Sequence, residues 1–139
     1  MKKRILCCII AAILLAMTIP TFAYRSPNFS ANSIYRAYTF KDFSKSTSAT
    51  RVYVSASKID YHDDGAKNYF YACPFDDDAN EISTRGYMKV IENALTIDYN
   101  ILNSYKSLTY FNVKVYNAYY YEDKDQSYKM SIEAVAEAR

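Results

Sequence analysis

The single histidine of the chain, His62, is followed directly by Asp63 and Asp64. A histidine beside a carboxylate can act as a general base whose ring the carboxylate orients. No nearby serine or threonine has the sequence of a nucleophile elbow, and the pair runs into a turn where Gly65 can supply the positive φ of a tight reversal. We therefore interpret His62 as a solvated turn residue and predict that the protein is not an enzyme. A hydrolase built on His62 is the weakest of three alternatives.

Carboxylates are grouped in three short stretches that could offer oxygen ligands to calcium: Asp63/Asp64, Asp76/Asp77/Asp78 and Glu122/Asp123/Asp125. Calcium takes about six to eight oxygens, and none of these stretches has the alternating aspartates and distal glutamate of a calcium-binding loop. Solvated turns are the commoner explanation, so we predict no cofactor and keep calcium as a minor alternative. Zinc is excluded because one histidine and one cysteine beyond residue 23 cannot supply three or four ligands.

Tyrosine is the prominent residue type, with 16 copies beside 7 phenylalanines and no tryptophan. Its ring is apolar and its tip polar, so it offers rigid contact area at low entropic cost. Two stretches have three aromatic residues in a row, Tyr69-Phe70-Tyr71 and Tyr119-Tyr120-Tyr121. Neighbouring residues of a strand point to opposite faces, so each stretch should present at least one ring outward unless the strand is buried on both faces. The alternative is ordinary packing between strands. The predicted binding residues, against a protein or an extracellular polymer, are Tyr69, Tyr71, Tyr119, Tyr120 and Tyr121.

The N-terminus has the pattern of an export signal. Three basic residues lead into an apolar run over 5–17, Pro20 follows, and Thr21-Phe22-Ala23 offers small residues for a cut after Ala23. The run is shorter than the roughly 20 apolar residues of a membrane span. We therefore predict a cleaved signal peptide over 1–23 and a secreted, extracellular protein without a membrane span, with a retained N-terminal anchor as the alternative.

Removal of this leader changes the charge and the thiol content. It takes three of the 17 basic residues and none of the 15 acidic ones, so the remainder is close to neutral and we predict no nucleic-acid partner. It also takes Cys7 and Cys8, which leaves Cys73 without an intramolecular disulfide partner. We expect Cys73 to be a buried, inert thiol, and the alternative is a reactive or dimer-forming one.

The elements that must position these residues are strands. Phe111, Val113 and Val115 alternate with Asn112 and Lys114, which is the period of a strand with one buried and one solvated face. Similar patterns predict about seven strands, near 34–40, 51–57, 67–75, 85–91, 95–100, 108–117 and 128–134. A short helix within 92–105 is an alternative, and 119–126 is expected to be a loop.

The fold prediction is an all-β protein: a single antiparallel β-sandwich, immunoglobulin-like, over 34–139, preceded by an irregular lead over 24–33. In such a sandwich Tyr110 could hydrogen-bond back to the preceding corner. We expect a non-enzymatic secreted binding domain whose tyrosine-rich surface contacts its partner. The alternative is a bacteriocin-like or toxin-like effector acting on a cell envelope. An edge strand bearing tyrosines could also pair with a second copy to give a homo-oligomer.

Overall fold

The computed structural model describes residues 28–62, 65–94 and 96–139. The predicted signal peptide and the Asp63-Asp64 pair lie outside these ranges. Eight strands account for most of the described chain: β1 (Asn28–Ile34), β2 (Ala37–Ser44), β3 (Arg51–Tyr61), β4 (Tyr69–Phe75), β5 (Met88–Ile91), β6 (Ile97–Asn100), β7 (Tyr110–Asn117) and β8 (Met130–Ala138). A single turn of 3-10 helix (Asn103–Tyr105) precedes β7, and one short helix, α1 (Ala118–Asp123), follows it.

The strands form two antiparallel four-stranded sheets, which confirms the prediction of an all-β, sandwich-like protein. The first sheet has the order β1-β8-β3-β6 and the second has the order β2-β7-β4-β5. The two outer pairs of each sheet, β1–β8 and β3–β6 in the first and β2–β7 and β4–β5 in the second, join strands whose numbers add to nine, as in one long hairpin that has been rolled up. This is the strand order of an eight-stranded jelly roll. It differs from the immunoglobulin-like order expected from the sequence, in which strands ABED and CFG form the two sheets.

The pairing corrects one further expectation and bears out another. The segment expected to be an irregular lead contains β1, because Asn28–Ile34 completes the first sheet by pairing with β8. The strand expected near 95–100 is confirmed as β6, and the only helical part described within 92–105 is the 3-10 turn. Among the described residues, no helix is long and apolar enough to cross a membrane.

The core lies between the sheets and follows the alternation seen in the sequence. On β7, Phe111, Val113 and Val115 are buried in it, while the residues between them stand on the outer face. Aromatic rings join the two layers, since Phe29 of the first sheet lies 4.4 Å from Phe40 of the second, measured between ring centroids. The side of the second sheet that faces away from this core is therefore formed by the alternate residues of its strands.

Two buried tyrosine hydroxyls also connect the sheets. Tyr99 of β6 is 0% exposed and donates a 2.5 Å hydrogen bond to the carbonyl of Ala72 on β4. Tyr61 of β3 donates to the carbonyl of Tyr69 on β4 and accepts from the N–H of Ala118. Burial raises the pKa of both phenols. These two hydroxyls bond from one sheet to the other, whereas Tyr110, the residue expected to bond back to a corner, is 37% exposed.

Candidate functional site on the outer face of the second sheet

Helix α1 begins at a buried asparagine and lies against the second sheet. The Asn117 side chain accepts from the N–H groups of Tyr119 and Tyr120, which is the usual way to satisfy the free donors of a first turn. Its amide nitrogen donates to the carbonyls of Ile34 and Tyr128, so the cap is also held by neighbouring segments. The stretch expected to be a loop is therefore helical, and Tyr119, Tyr120 and Tyr121 do not alternate as strand residues would.

Glu122 anchors this helix to the sheet. Its carboxylate accepts hydrogen bonds from the hydroxyls of Tyr69, at 3.0 Å, and Tyr71, at 2.7 Å, and from the ammonium group of Lys67. The Lys67 hydrogen bond, followed by those of Tyr71 and Tyr69, lowers the pKa of Glu122 to about 2. The sequence offered this residue only as a minor candidate for calcium, and in the structure its carboxylate is paired with Lys67, Tyr69 and Tyr71 and holds α1 in place.

A contiguous group of tyrosines, which we call the tyrosine cluster, covers the part of the face beside α1. Tyr121 stacks on Tyr71 with ring centroids 4.2 Å apart and lies 5.7 Å from Tyr87. Tyr87 contacts Tyr116 at 5.0 Å, and the rings of Tyr116 and Tyr120 are parallel within 4°. The cluster consists of Tyr69, Tyr71, Tyr87, Tyr116, Tyr120 and Tyr121, all of them half-buried.

Cationic side chains lie over several of these rings. The ammonium group of Lys89 is 3.7 Å from the centroid of Tyr69, and that of Lys114 is 5.1 Å from the centroid of Tyr116. Lys124 and Arg36 approach the ring of Tyr120 at 5.2 Å and 5.9 Å. Such contacts stabilise exposed pairs by about 0.5–1 kcal/mol each, so they hold the rings in defined orientations rather than contribute much stability.

The structure brings together four of the five predicted binding tyrosines and separates the fifth. Tyr119 stacks on Tyr128 at 4.0 Å, and its hydroxyl accepts from the backbone N–H groups of Ala66 and Lys67. It is thus an internal anchor for the segment that follows Gly65. That glycine is required by close packing, because a Cβ atom there would lie 2.5 Å from the Cβ of Tyr61.

A cavity of about 570 Å³, which we call the polar groove, opens on the other part of the same face. It falls within the roughly 300–1,000 Å³ range of ligand sites. The groove is lined by Thr39, Lys41, Asp42, Phe75, Asp76, Asp77, Ala79, Asn112 and Lys114. It adjoins the tyrosine cluster at two points, since the ring of Phe75 lies 5.8 Å from Tyr87, and Lys114 reaches over Tyr116.

Asn112 of β7 holds the two walls of the groove together. Its side chain is buried, accepts from the backbone N–H of Asp42, and donates to the carbonyl of Asp76 and the carboxylate of Asp77. On the β2 side, Lys41 and Asp42 together oppose Asn112, which makes a β-bulge between Phe40 and Phe43. Bulges redirect side chains and are enriched beside functional sites.

Asp76 begins the turn that forms the other wall of the groove, and its carboxylate closes that turn. It accepts from the backbone N–H and the side-chain amide of Asn80 at 2.7 Å and 2.9 Å. Partial burial alone would raise the pKa of Asp76, but these hydrogen bonds hold it below its ordinary value. Hydrogen bonds therefore hold both walls of the groove, through the backbone of Asp42 on one side and the carboxylate of Asp76 on the other. In the described part of the chain, no group of three or more acidic, histidine or cysteine side chains is arranged to hold a metal ion.

His62 does have a serine and a carboxylate beside it, on the outer face of the first sheet. Its Nε2 lies 2.9 Å from the Ser131 hydroxyl and 3.8 Å from the Asp60 carboxylate. In a catalytic triad the carboxylate holds one ring nitrogen while the other faces the nucleophile. Here both groups approach the same nitrogen, so the arrangement does not have the geometry of a triad.

The site residues that the sequence did not indicate are Tyr87, Tyr116 and the groove-lining side chains other than Asp76 and Asp77, which were considered only as calcium ligands. Tyr116 could have been identified, because it stands on the same solvated face of the β7 pattern as Asn112 and Lys114. Tyr87 precedes a short strand and gives no comparable signal. No protein-family model, curated protein or solved structure shows significant similarity to this chain.

Proposed function

We propose that the protein is a secreted, non-enzymatic binding module that contacts a protein or an extracellular polymer through the outer face of its second sheet. The observation that carries the proposal is the continuity of the tyrosine cluster with the polar groove, through the contacts of Phe75 with Tyr87 and of Lys114 with Tyr116. Rigid amphipathic rings beside positioned polar groups have the composition of a recognition surface.

Export is proposed from the leader over 1–23 with its cut after Ala23. A chain that begins at Tyr24 contains every strand of both sheets. Such a chain is the form in which binding should be measured.

Retention on immobilised candidates tests the proposal. The panel combines polysaccharides (cellulose, chitin, xylan and peptidoglycan) with extracellular proteins (collagen and mucin). Tyr120→Ala removes a ring of the tyrosine cluster, and Tyr53→Ala is the matched control, since Tyr53 is half-buried on the outer face of the first sheet. We expect Tyr120→Ala to weaken retention about tenfold, as loss of an aromatic anchor does, and Tyr53→Ala to leave it unchanged.

Equal weakening by the two variants would contradict the assignment of the face. Absence of retention on the whole panel would contradict the binding function itself. Growth inhibition of other cells by the purified protein, without retention, would instead support the effector alternative.

A further inference from the structure

We propose that the polar groove binds a neutral, hydroxyl-rich polysaccharide, with the tyrosine cluster as the adjoining platform for further sugar rings. This inference rests on the proposed function, because it names the ligand class of the same face. It is carried by the donor and acceptor set of the groove, by its charge balance and by its fixed walls.

The groove offers both kinds of hydrogen-bonding partner that a sugar hydroxyl needs. Lys41 and Lys114 bring ammonium donors, Asp42 and Asp77 bring carboxylate acceptors, and Thr39 brings a hydroxyl that does both. A sugar hydroxyl is simultaneously donor and acceptor, so it can be satisfied by neighbouring groups of opposite character. An apolar ligand would displace water from these charged and polar groups without offering them hydrogen bonds, which is costly.

The charge balance favours a neutral ligand. Three carboxylates, from Asp42, Asp76 and Asp77, stand against two ammonium groups, so the groove does not attract a polyanion. It is also a poor centre for a protein interface, since the buried centre of such interfaces is depleted of charged residues. Flat tyrosine rings next to the groove suit the less polar faces of sugar rings.

The groove is preorganised on both sides. Asp42 has a φ of 65° and Ala79 a φ of 63°, in the left-handed region that residues with a Cβ rarely adopt. The Asn112 side chain bonds to the backbone of Asp42 and to both Asp76 and Asp77, which fixes the bulge of β2 relative to the turn after β4. Because its walls are already fixed, the groove itself loses little conformational entropy when a ligand binds.

The test is calorimetric titration of the chain beginning at Tyr24 with soluble gluco-, manno-, xylo- and chito-oligosaccharides, and with heparin and alginate as polyanions. Asp42→Gly removes a carboxylate from the groove. Glycine readily adopts the positive φ found at this position, so the variant should fold normally. Asn93→Gly is the matched control, because Asn93 has a φ of 52° and does not line the groove. Lys114→Gln is a second groove variant.

We expect at least one neutral oligosaccharide to bind, with affinity unchanged between about 0.1 M and about 1 M NaCl, because no net charge is neutralised. Asp42→Gly and Lys114→Gln should each weaken that binding about tenfold, the effect of losing a charge-assisted hydrogen bond, and Asn93→Gly should not.

Two outcomes would overturn the ligand class while the proposed function stands. One is binding of polyanions alone, with affinity that falls steeply with salt. The other is retention on immobilised protein that depends on Tyr120 without any binding of oligosaccharide. Binding of oligosaccharide that is unaffected in both groove variants would place the sugar elsewhere and would also overturn the assignment of the groove. Absence of all binding would overturn both proposals.

Discussion

The hydroxyl of Tyr71 donates a 2.7 Å hydrogen bond to the carboxylate of Glu122 and so joins β4 to helix α1. A helix of six residues is too short to be stable alone, so it depends on such contacts and on its Asn117 cap. By holding α1 in place, Glu122 also positions Tyr120 and Tyr121, which belong to the tyrosine cluster. The stability of the protein and the shape of the proposed binding face therefore both depend on the Glu122 carboxylate.

We expect this carboxylate to make stability depend on pH. Hydrogen bonds from Lys67, Tyr71 and Tyr69 lower the pKa of Glu122 from 4.5 to about 2. Since the folded protein binds this proton more weakly than the unfolded chain, the stabilisation is complete above pH 4.5 and is lost as the pH falls towards 2. Urea unfolding over that range should show a smaller decline in Glu122→Gln than in the wild type.

At neutral pH the same variant should lower the free energy of unfolding by about 1 kcal/mol, a value kept modest because the side chain is 30% exposed. Glu133→Gln, which removes an exposed carboxylate from β8, should change it by less than about 0.5 kcal/mol. Equal effects of the two substitutions would show that Glu122 is no anchor.

The buried hydroxyl of Tyr99 should contribute measurably to stability. Tyr99→Phe removes the hydrogen bond to the Ala72 carbonyl in a site without solvent access, so we expect a loss of about 1–2 kcal/mol in denaturant unfolding. Tyr110→Phe is the matched control and should change the free energy of unfolding by less than about 0.5 kcal/mol, because Tyr110 is 37% exposed. A larger loss for Tyr110→Phe than for Tyr99→Phe would reverse the assignment of these two tyrosines.

Cys73 should be unreactive in the folded protein. It is 0% exposed, its thiol lies 3.7 Å from the Pro74 carbonyl, and burial raises its pKa to about 12. The thiolate, which is the nucleophile, is therefore scarce and inaccessible at neutral pH. A colorimetric thiol reagent should modify Cys73 in urea and leave it unmodified in buffer. Rapid labelling in buffer would support the alternative of a reactive thiol.

The sequence predicted which face of a strand each side chain occupies, but it did not predict which strands lie side by side. The two-residue period assigned Phe111, Val113 and Val115 to the core and Lys114 to the outer face, because side chains alternate along a strand whatever lies beside it. The same period says nothing about which strand is adjacent. An eight-stranded rolled hairpin and an immunoglobulin-like sandwich both satisfy it, so the expected strand order was wrong while the class was right.

The sequence by itself determined the β-class, the solvated face of β7, the absence of a disulfide partner for Cys73 among residues 24–139 and the abundance of tyrosine. Only the tertiary structure decided which tyrosines meet. Tyr71, Tyr87, Tyr116 and Tyr121 come from separate segments that long-range antiparallel pairing and one capped helix bring to the same surface. The buried Lys45, whose ammonium group donates to three carbonyls, was equally unpredictable. Local pattern fixes which way a side chain faces, whereas its partners depend on contacts between residues distant in the chain.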